Sequence, residues 1–216
     1  MTMLLACQSR LANAPDVLDA IREEDCNLAI WERTPFANFA PLTEGDPQDI
    51  RFETTPDDLP AKLMAALAEN GFAAPGLWDV LVADAAQLAR RFCAAMDLAR
   101  IELRLEVVRT DSCRKFHADY VSARLITTYV GAGTDWLDDA EAAHLAAGGE
   151  PRRINRMAAF DVGLFKGKLA TERPAIHRSP PIAGTGATRL LLVLNPSAKP
   201  FVERPDSPFS ETGELA

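Results

Sequence analysis

Ile101-Glu102-Leu103-Arg104-Leu105-Glu106-Val107-Val108 is the stretch that decides the fold. Apolar and charged side chains alternate from Ile101 to Val107, the period-two pattern of a strand with one face buried. Before Arg100 the apolar spacing is helical, and after it the apolar runs are short, β-branched and bounded by turn residues.

Upstream, Thr55-Pro56-Asp57-Asp58 marks a helix start. Thr55 caps, Pro56 suits the first helical position and Asp58 completes a capping box. Leu59, Leu63 and Leu67 form its apolar stripe, and Gly71 is its stop. A longer helix runs from about Leu77 to Leu98, with Leu81, Ala85, Leu88, Phe92 and Met96 at helical spacing. Asn13-Ala14-Pro15-Asp16 opens a third helix, with Val17, Leu18 and Ile21 on its buried side. Asn27 to Arg33 reads as a short strand, and a polar, proline-containing link spans 41–55.

Downstream, strands are expected over 122–130, 157–165 and 188–194. Gly131-Ala132-Gly133 breaks the first, Gly167 turns the second, and Asn195-Pro196 stops the third. A short surface helix covers 138–147. The expected organisation is a single domain over 1–216. It has a mainly helical part (1–99), a β core (100–196) and an extended tail (197–216). Helices followed by at least five strands give the α+β class.

Composition removes several functions. The net charge is −8, which opposes non-specific nucleic-acid binding, since that needs a basic stripe to displace counterions. No run approaches the roughly 18 apolar residues of a membrane span, and no membrane partner is expected. Met1-Thr2-Met3-Leu4-Leu5-Ala6-Cys7 is briefly apolar but lacks the basic flank of a secretory signal. The four cysteines (Cys7, Cys26, Cys93, Cys113) contain no CxxC pair. They read as reduced thiols, so cytoplasmic residence is expected.

The chemistry concentrates in two segments, Phe116-His117-Ala118-Asp119 and Ile176-His177-Arg178-Ser179-Pro180-Pro181, which hold two of only three histidines. In a strand, residues two apart share a face, so His117 and Asp119 present an imidazole and a carboxylate side by side. His177 must come from a strand folded back alongside, as a barrel or jelly roll provides. Two imidazoles and one carboxylate make a facial triad, which suits non-haem Fe(II) and leaves positions open. A surface strand with two outward polar residues gives the same local pattern.

Arg189 follows His177 by 12 positions. A guanidinium grips a carboxylate through two parallel hydrogen bonds, and here it would hold the far carboxylate of 2-oxoglutarate. The alternative is a strand-edge arginine paired with a surface acid. Thr127, Thr128 or Tyr129 would add a hydrogen bond, according to which face of their strand is inward. Lys166 is a competing carboxylate anchor or a solvated turn lysine. Arg178, next to His177, should point away from the metal, and His144 reads as structural or exposed. No G-x-S-x-G elbow, P-loop or helix-opening G-x-G-x-x-G is present.

Taken together, Cys113-Arg114-Lys115-Phe116-His117-Ala118-Asp119, residues 128–137, His177-Arg178-Ser179-Pro180-Pro181 and Thr188-Arg189-Leu190-Leu191-Leu192 resemble a bacterial family known only as a domain of unknown function, number eighteen twenty-six. The resemblance includes Trp31-Glu32-Arg33. More distantly, residues 117–194 are similar in order to 2-oxoglutarate and Fe(II)-dependent dioxygenases. That likeness implies a C-terminal double-stranded β-helix, jelly-roll or cupin-like, with the N-terminal helices packed on it. It implies His117, Asp119 and His177 as metal ligands and Arg189 as co-substrate anchor. Residues 160–167 are similar to the strand preceding the distal histidine there. Pro180-Pro181 and the helical N-terminal half depart from the pattern.

The leading expectation is an Fe(II)/2-oxoglutarate oxygenase that hydroxylates or demethylates a substrate, with 2-oxoglutarate as small-molecule co-substrate. The second is a cupin-like protein that binds Zn or Mn in metal homeostasis or sensing, without redox chemistry. The third is a β-barrel used only for interaction.

Overall fold

The computed structural model describes residues 8–197. The apolar stretch 1–7 with Cys7, and the expected tail beyond Ser197, lie outside the described residues. In chain order the elements are β1 (Gln8–Ala12), a 3-10 helix (Pro15–Arg22), β2 (Cys26–Trp31) and a 3-10 turn (Ala40–Thr43). Then come β3 (Ile50–Thr54), α1 (Leu59–Glu69), a 3-10 turn (Pro75–Leu77), α2 (Trp78–Met96) and β4 (Ile101–Val108). The remainder is β5 (Ala123–Val130), β6 (Asp135–Trp136), α3 (Asp139–Ala146), β7 (Asn155–Arg156), β8 (Val162–Lys166), β9 (His177–Arg178) and β10 (Arg189–Pro196).

This is a mixed α/β fold built on one large sheet. Its seven strands run β1-β2-β8-β5-β10-β4-β3, and a three-stranded sheet runs β7-β6-β9. Only the β1–β2 pair is parallel in the large sheet. The period-two pattern that opened the sequence reading sorts its faces. Leu103 and Leu105 of β4, with Leu190, Leu192 and Leu194 of β10, join the core that contains the apolar stripes of α1 and α2. From the opposite face, Leu28, Ile30, Ile126 and Phe165 pack with Trp136, Met157 and Ala175 of the small-sheet layer.

The helix stripes fall as their spacing requires: Leu59, Leu63, Leu67, Leu81, Ala85 and Leu88 are all at 0% exposure. Thr55 Oγ1 accepts the Asp58 N–H at 3.2 Å, but the α-helix begins only at Leu59, with Pro60 in its first turn. Gly71 has φ +73°, the left-handed stop that favours glycine.

Three differences from the sequence reading have physical causes. The first 99 residues supply three strands to the large sheet, where one was expected. β1 and β3 are its edges, too short and polar to announce themselves, and they take their state from their neighbours. The segment 15–22 is a 3-10 helix. The strand expected from 157 starts at Val162, because residues 158–161 form a turn, Asp161 N–H donating to Ala158 O at 3.3 Å, in which Phe160 has φ +73°.

The glycine break after β5 moves the chain from the large sheet to the small one. A side chain at Gly133 would collide with the Met157 carbonyl, and Gly131 has φ +82°. Among the described residues Cys26 and Cys93 are buried free thiols and Cys113 is exposed. Burial pushes the Cys93 thiol up to about 11. No helix among the described residues is long and apolar enough to cross a membrane.

Candidate metal centre

His117 sits just outside the small sheet and pairs with His177 of β9 through an isolated antiparallel bridge. Each backbone N–H donates to the other's carbonyl at 3.0 Å. Asp119 follows two residues later on the same side. One ligand atom from each of His117, Asp119 and His177 lies within 4.8 Å of the others. His117 Nε2 is 3.7 Å from Asp119 Oδ1, and His177 Nε2 is 3.3 Å from Asp119 Oδ2. The three residues singled out by spacing are therefore brought together.

Two backbone carbonyls orient the imidazoles. Lys115 O lies 2.9 Å from His117 Nδ1, and Ala175 O lies 3.3 Å from His177 Nδ1. A carbonyl only accepts, so these contacts assign a proton to each Nδ1 and turn both Nε2 atoms toward Asp119. The Phe165 ring packs on His177 with centroids 4.6 Å apart.

Asp119 is 8% exposed. Its Oδ1 accepts from Arg124 Nη1 at 2.6 Å, while its Oδ2 is buried without a hydrogen-bond partner. A buried carboxylate oxygen without a hydrogen-bond partner, with two imidazole Nε2 atoms turned toward the same carboxylate, is a donor set that fits a divalent transition metal.

Burial works to raise the Asp119 carboxyl, but contacts with His177, Arg124 and His117 outweigh it and hold the group below the usual range. A carboxylate depressed on folding stabilises the protein above its unfolded value, about 3.9, and that contribution is lost as pH falls through the lower folded value. Urea midpoints of the metal-free protein should therefore drop as pH falls below about 4, and Asp119→Asn should flatten that drop. A variant curve parallel to wild type would contradict the assignment.

Arg189 opens β10 and is 1% exposed. Its Nε donates to Ala132 O at 2.7 Å, its Nη2 to Thr128 Oγ1 at 3.3 Å, and its Nη1 to Ser179 Oγ. No carboxylate lies within ion-pair distance of it among the described residues. Asp135 is engaged by Arg156 at 2.6 Å and by Arg178 at 3.0 Å. Burial pushes the Arg189 guanidinium down to about 10. A buried cation with unused N–H groups and no counter-ion is a place for an anion. Arg189, His117, His177, Thr134 and Leu191 line one cavity of about 80 Å³.

Three expected anchors face elsewhere. Tyr129 and Thr127 point to the helix side of β5. Tyr129 Oη donates to Asp84 at 2.6 Å, and Thr127 Oγ1 contacts Phe160 O and Arg33, each at 3.4 Å. Strand alternation puts Thr128, between them, on the cavity side. Lys166 Nζ donates to Glu23 O at 2.7 Å and is tied to the end of the first 3-10 helix. Arg178 pairs with Asp135 and lies over the Phe116 ring at 4.4 Å. His144 is half-buried in α3, its ring against Gly149. Sequence reasoning passed over Arg124 and Ser179. Arg124 shares the parity of Thr128, the one signal that pointed to it.

A family model described as "Protein of unknown function (DUF1826)" matches residues 12–195. No curated protein matches the sequence. The fold is similar to a dioxygenase for auxin oxidation from rice, at 12% identity and TM-score 0.43, covering 88% of this chain and 82% of that one. It is similar to dioxygenase for auxin oxidation 1 from Arabidopsis thaliana, solved as a 2-oxoglutarate complex, at 11% identity and TM-score 0.47, covering 95% and 98%. It is also similar to a Pseudomonas putida prolyl-4-hydroxylase, at 11% identity and TM-score 0.40, covering 85% and 98%. Likeness at this distance does not transfer a reaction.

Proposed function

We propose that this chain, which belongs to the DUF1826 family, is an oxygenase that uses Fe(II) and 2-oxoglutarate to hydroxylate or demethylate a substrate. One observation carries the reading. The two histidines of a His-Asp-His donor set and a buried arginine without an ion-pair partner line the same cavity.

In this reading His117, Asp119 and His177 hold the metal and Arg189 grips the distal carboxylate of 2-oxoglutarate. Thr128 and Ser179 orient the guanidinium, and Leu191, Ile126 and Phe165 keep water from the cavity. Bound Fe(II) would supply the oxygen chemistry that side chains lack. The two facing sheets are then a double-stranded β-helix centred on residues 100–196, widened by β1–β3 and backed by the N-terminal helices.

The test is an anaerobic titration of metal-free protein with Fe(II) and then 2-oxoglutarate, followed by visible absorption. A charge-transfer band should appear in wild type, vanish in His177→Ala and require much more 2-oxoglutarate in Arg189→Met. No band in wild type sinks the proposal. The donor types alone also suit Zn or Mn. Tight Zn binding with no effect of 2-oxoglutarate would make the protein a cupin-like metal-homeostasis or sensing protein.

A further inference from the structure

Four adjacent strands of the large sheet, β5, β10, β4 and β3, each place one polar side chain in a single hydrogen-bonded line that ends on Asp119. Arg124 of β5 donates from Nη1 to Asp119 Oδ1 at 2.6 Å and from Nε to Asn195 Oδ1 of β10 at 2.7 Å. Asn195 Nδ2 donates to Glu102 Oε1 of β4 at 3.1 Å. Glu102 Oε2 accepts from Arg51 of β3 at 2.9 and 2.7 Å. Asn195 and Glu102 sit directly opposite each other in the β10–β4 register. The line starts on a buried carboxylate and reaches Arg51, whose side chain is 66% exposed.

Its effect on Asp119 is asymmetric. The Arg124 guanidinium is anchored from behind by Asn195, so it meets Oδ1 from a fixed direction. Oδ2 alone is left without a hydrogen-bond partner. We propose that Arg124 is a positioning residue that occupies Oδ1 and restricts Asp119 to a single ligand atom, Oδ2, thereby keeping one more coordination position open. The inference rests on the metal reading of His117, Asp119 and His177, and it needs no particular co-substrate. Without Arg124 the carboxylate is free to present both oxygens to the metal.

Mn(II) tests this, because the relaxation of water protons counts the waters on the bound ion. Three protein donor atoms leave three of the six positions Mn(II) favours to water. In Arg124→Met, chelation by both oxygens should remove one, lowering the relaxivity of bound Mn(II) by about one third. Arg124→Lys, which returns a donor to Oδ1, should restore it. Equal relaxivity in wild type and Arg124→Met overturns the proposal while the metal site stands. Failure of wild type to bind Mn(II), Co(II), Fe(II) or Zn(II) removes the metal reading and this inference with it. Should Arg124→Met not fold, Asn195→Leu carries the test. It releases the back of the guanidinium and should lower relaxivity in the same direction, and no change there is equally fatal.

Discussion

Asp119→Ala should weaken binding of Mn(II) or Fe(II) to the metal-free protein by more than about 100-fold. Loss of a supporting group around a metal typically costs 10–100-fold, and Asp119 is proposed as a ligand and supplies the only carboxylate of the cluster. It also carries the only negative charge of the cluster, so its removal leaves a site that binds a dication without compensating charge. Arg124 would then face that dication with its own positive charge unpaired. Calorimetric titration reads the affinity, and circular dichroism checks that the variant is folded. A loss under tenfold would mean that the metal, if bound, sits elsewhere. Asp119→Asn separates charge from shape, since it keeps an oxygen donor and should still lose most of the affinity.

The largest effect on stability is expected on the other side of the sheet. Arg33→Met should destabilise the fold by about 3–5 kcal/mol, the range for breaking a buried ion pair from one side. Arg33 and Asp84 have side chains 6% and 7% exposed and meet at 2.6 Å. Asp84 also accepts from Tyr129, whose hydroxyl is held well above its usual value by burial and by the Asp84 charge. Arg33 Nε further donates to the carbonyl of Phe160, the residue with φ +73°, at 2.6 Å. The substitution therefore strands a buried carboxylate and releases the turn that leads into β8. Urea denaturation at unchanged slope measures the cost. The double variant Arg33→Met/Asp84→Leu should recover much of it, because no buried charge remains. A single-variant cost below about 1 kcal/mol, the scale of an exposed pair, would contradict this account.

The parts of the fold that were legible in the sequence carry their own periodicity. α1, α2, β4 and β10 are long enough for period 3.6 or 2 to show through, and each buries the stripe its spacing marked. β1 and β3 were illegible because an edge strand needs only one partner, and its polar residues follow tertiary context. His117 and Asp119 were paired on the expectation of a strand; His117 makes only an isolated bridge and Asp119 lies outside any strand, so their approach comes from the segment between β4 and β5 rather than from strand alternation. For Thr127, Thr128 and Tyr129 the sequence gives the alternation but not its phase, and the large sheet turns Thr128 toward Arg189 while Thr127 and Tyr129 face α2 and Phe160. Arg124 and Ser179 were silent for another reason. Their meaning lies in partners five and ten residues away in the chain, Asp119 and Arg189, brought close by folding rather than by a local pattern.

The reciprocal backbone pairing of His117 with His177 separates position from identity. The spacing of the two side chains is written into main-chain hydrogen bonds, which any pair of residues except proline would make. Either imidazole can thus be exchanged for a carboxylate or a thiolate while its partner stays where it is. Under the proposed metal reading, a single substitution at either position would change the donor set while leaving the partner ligand where it is.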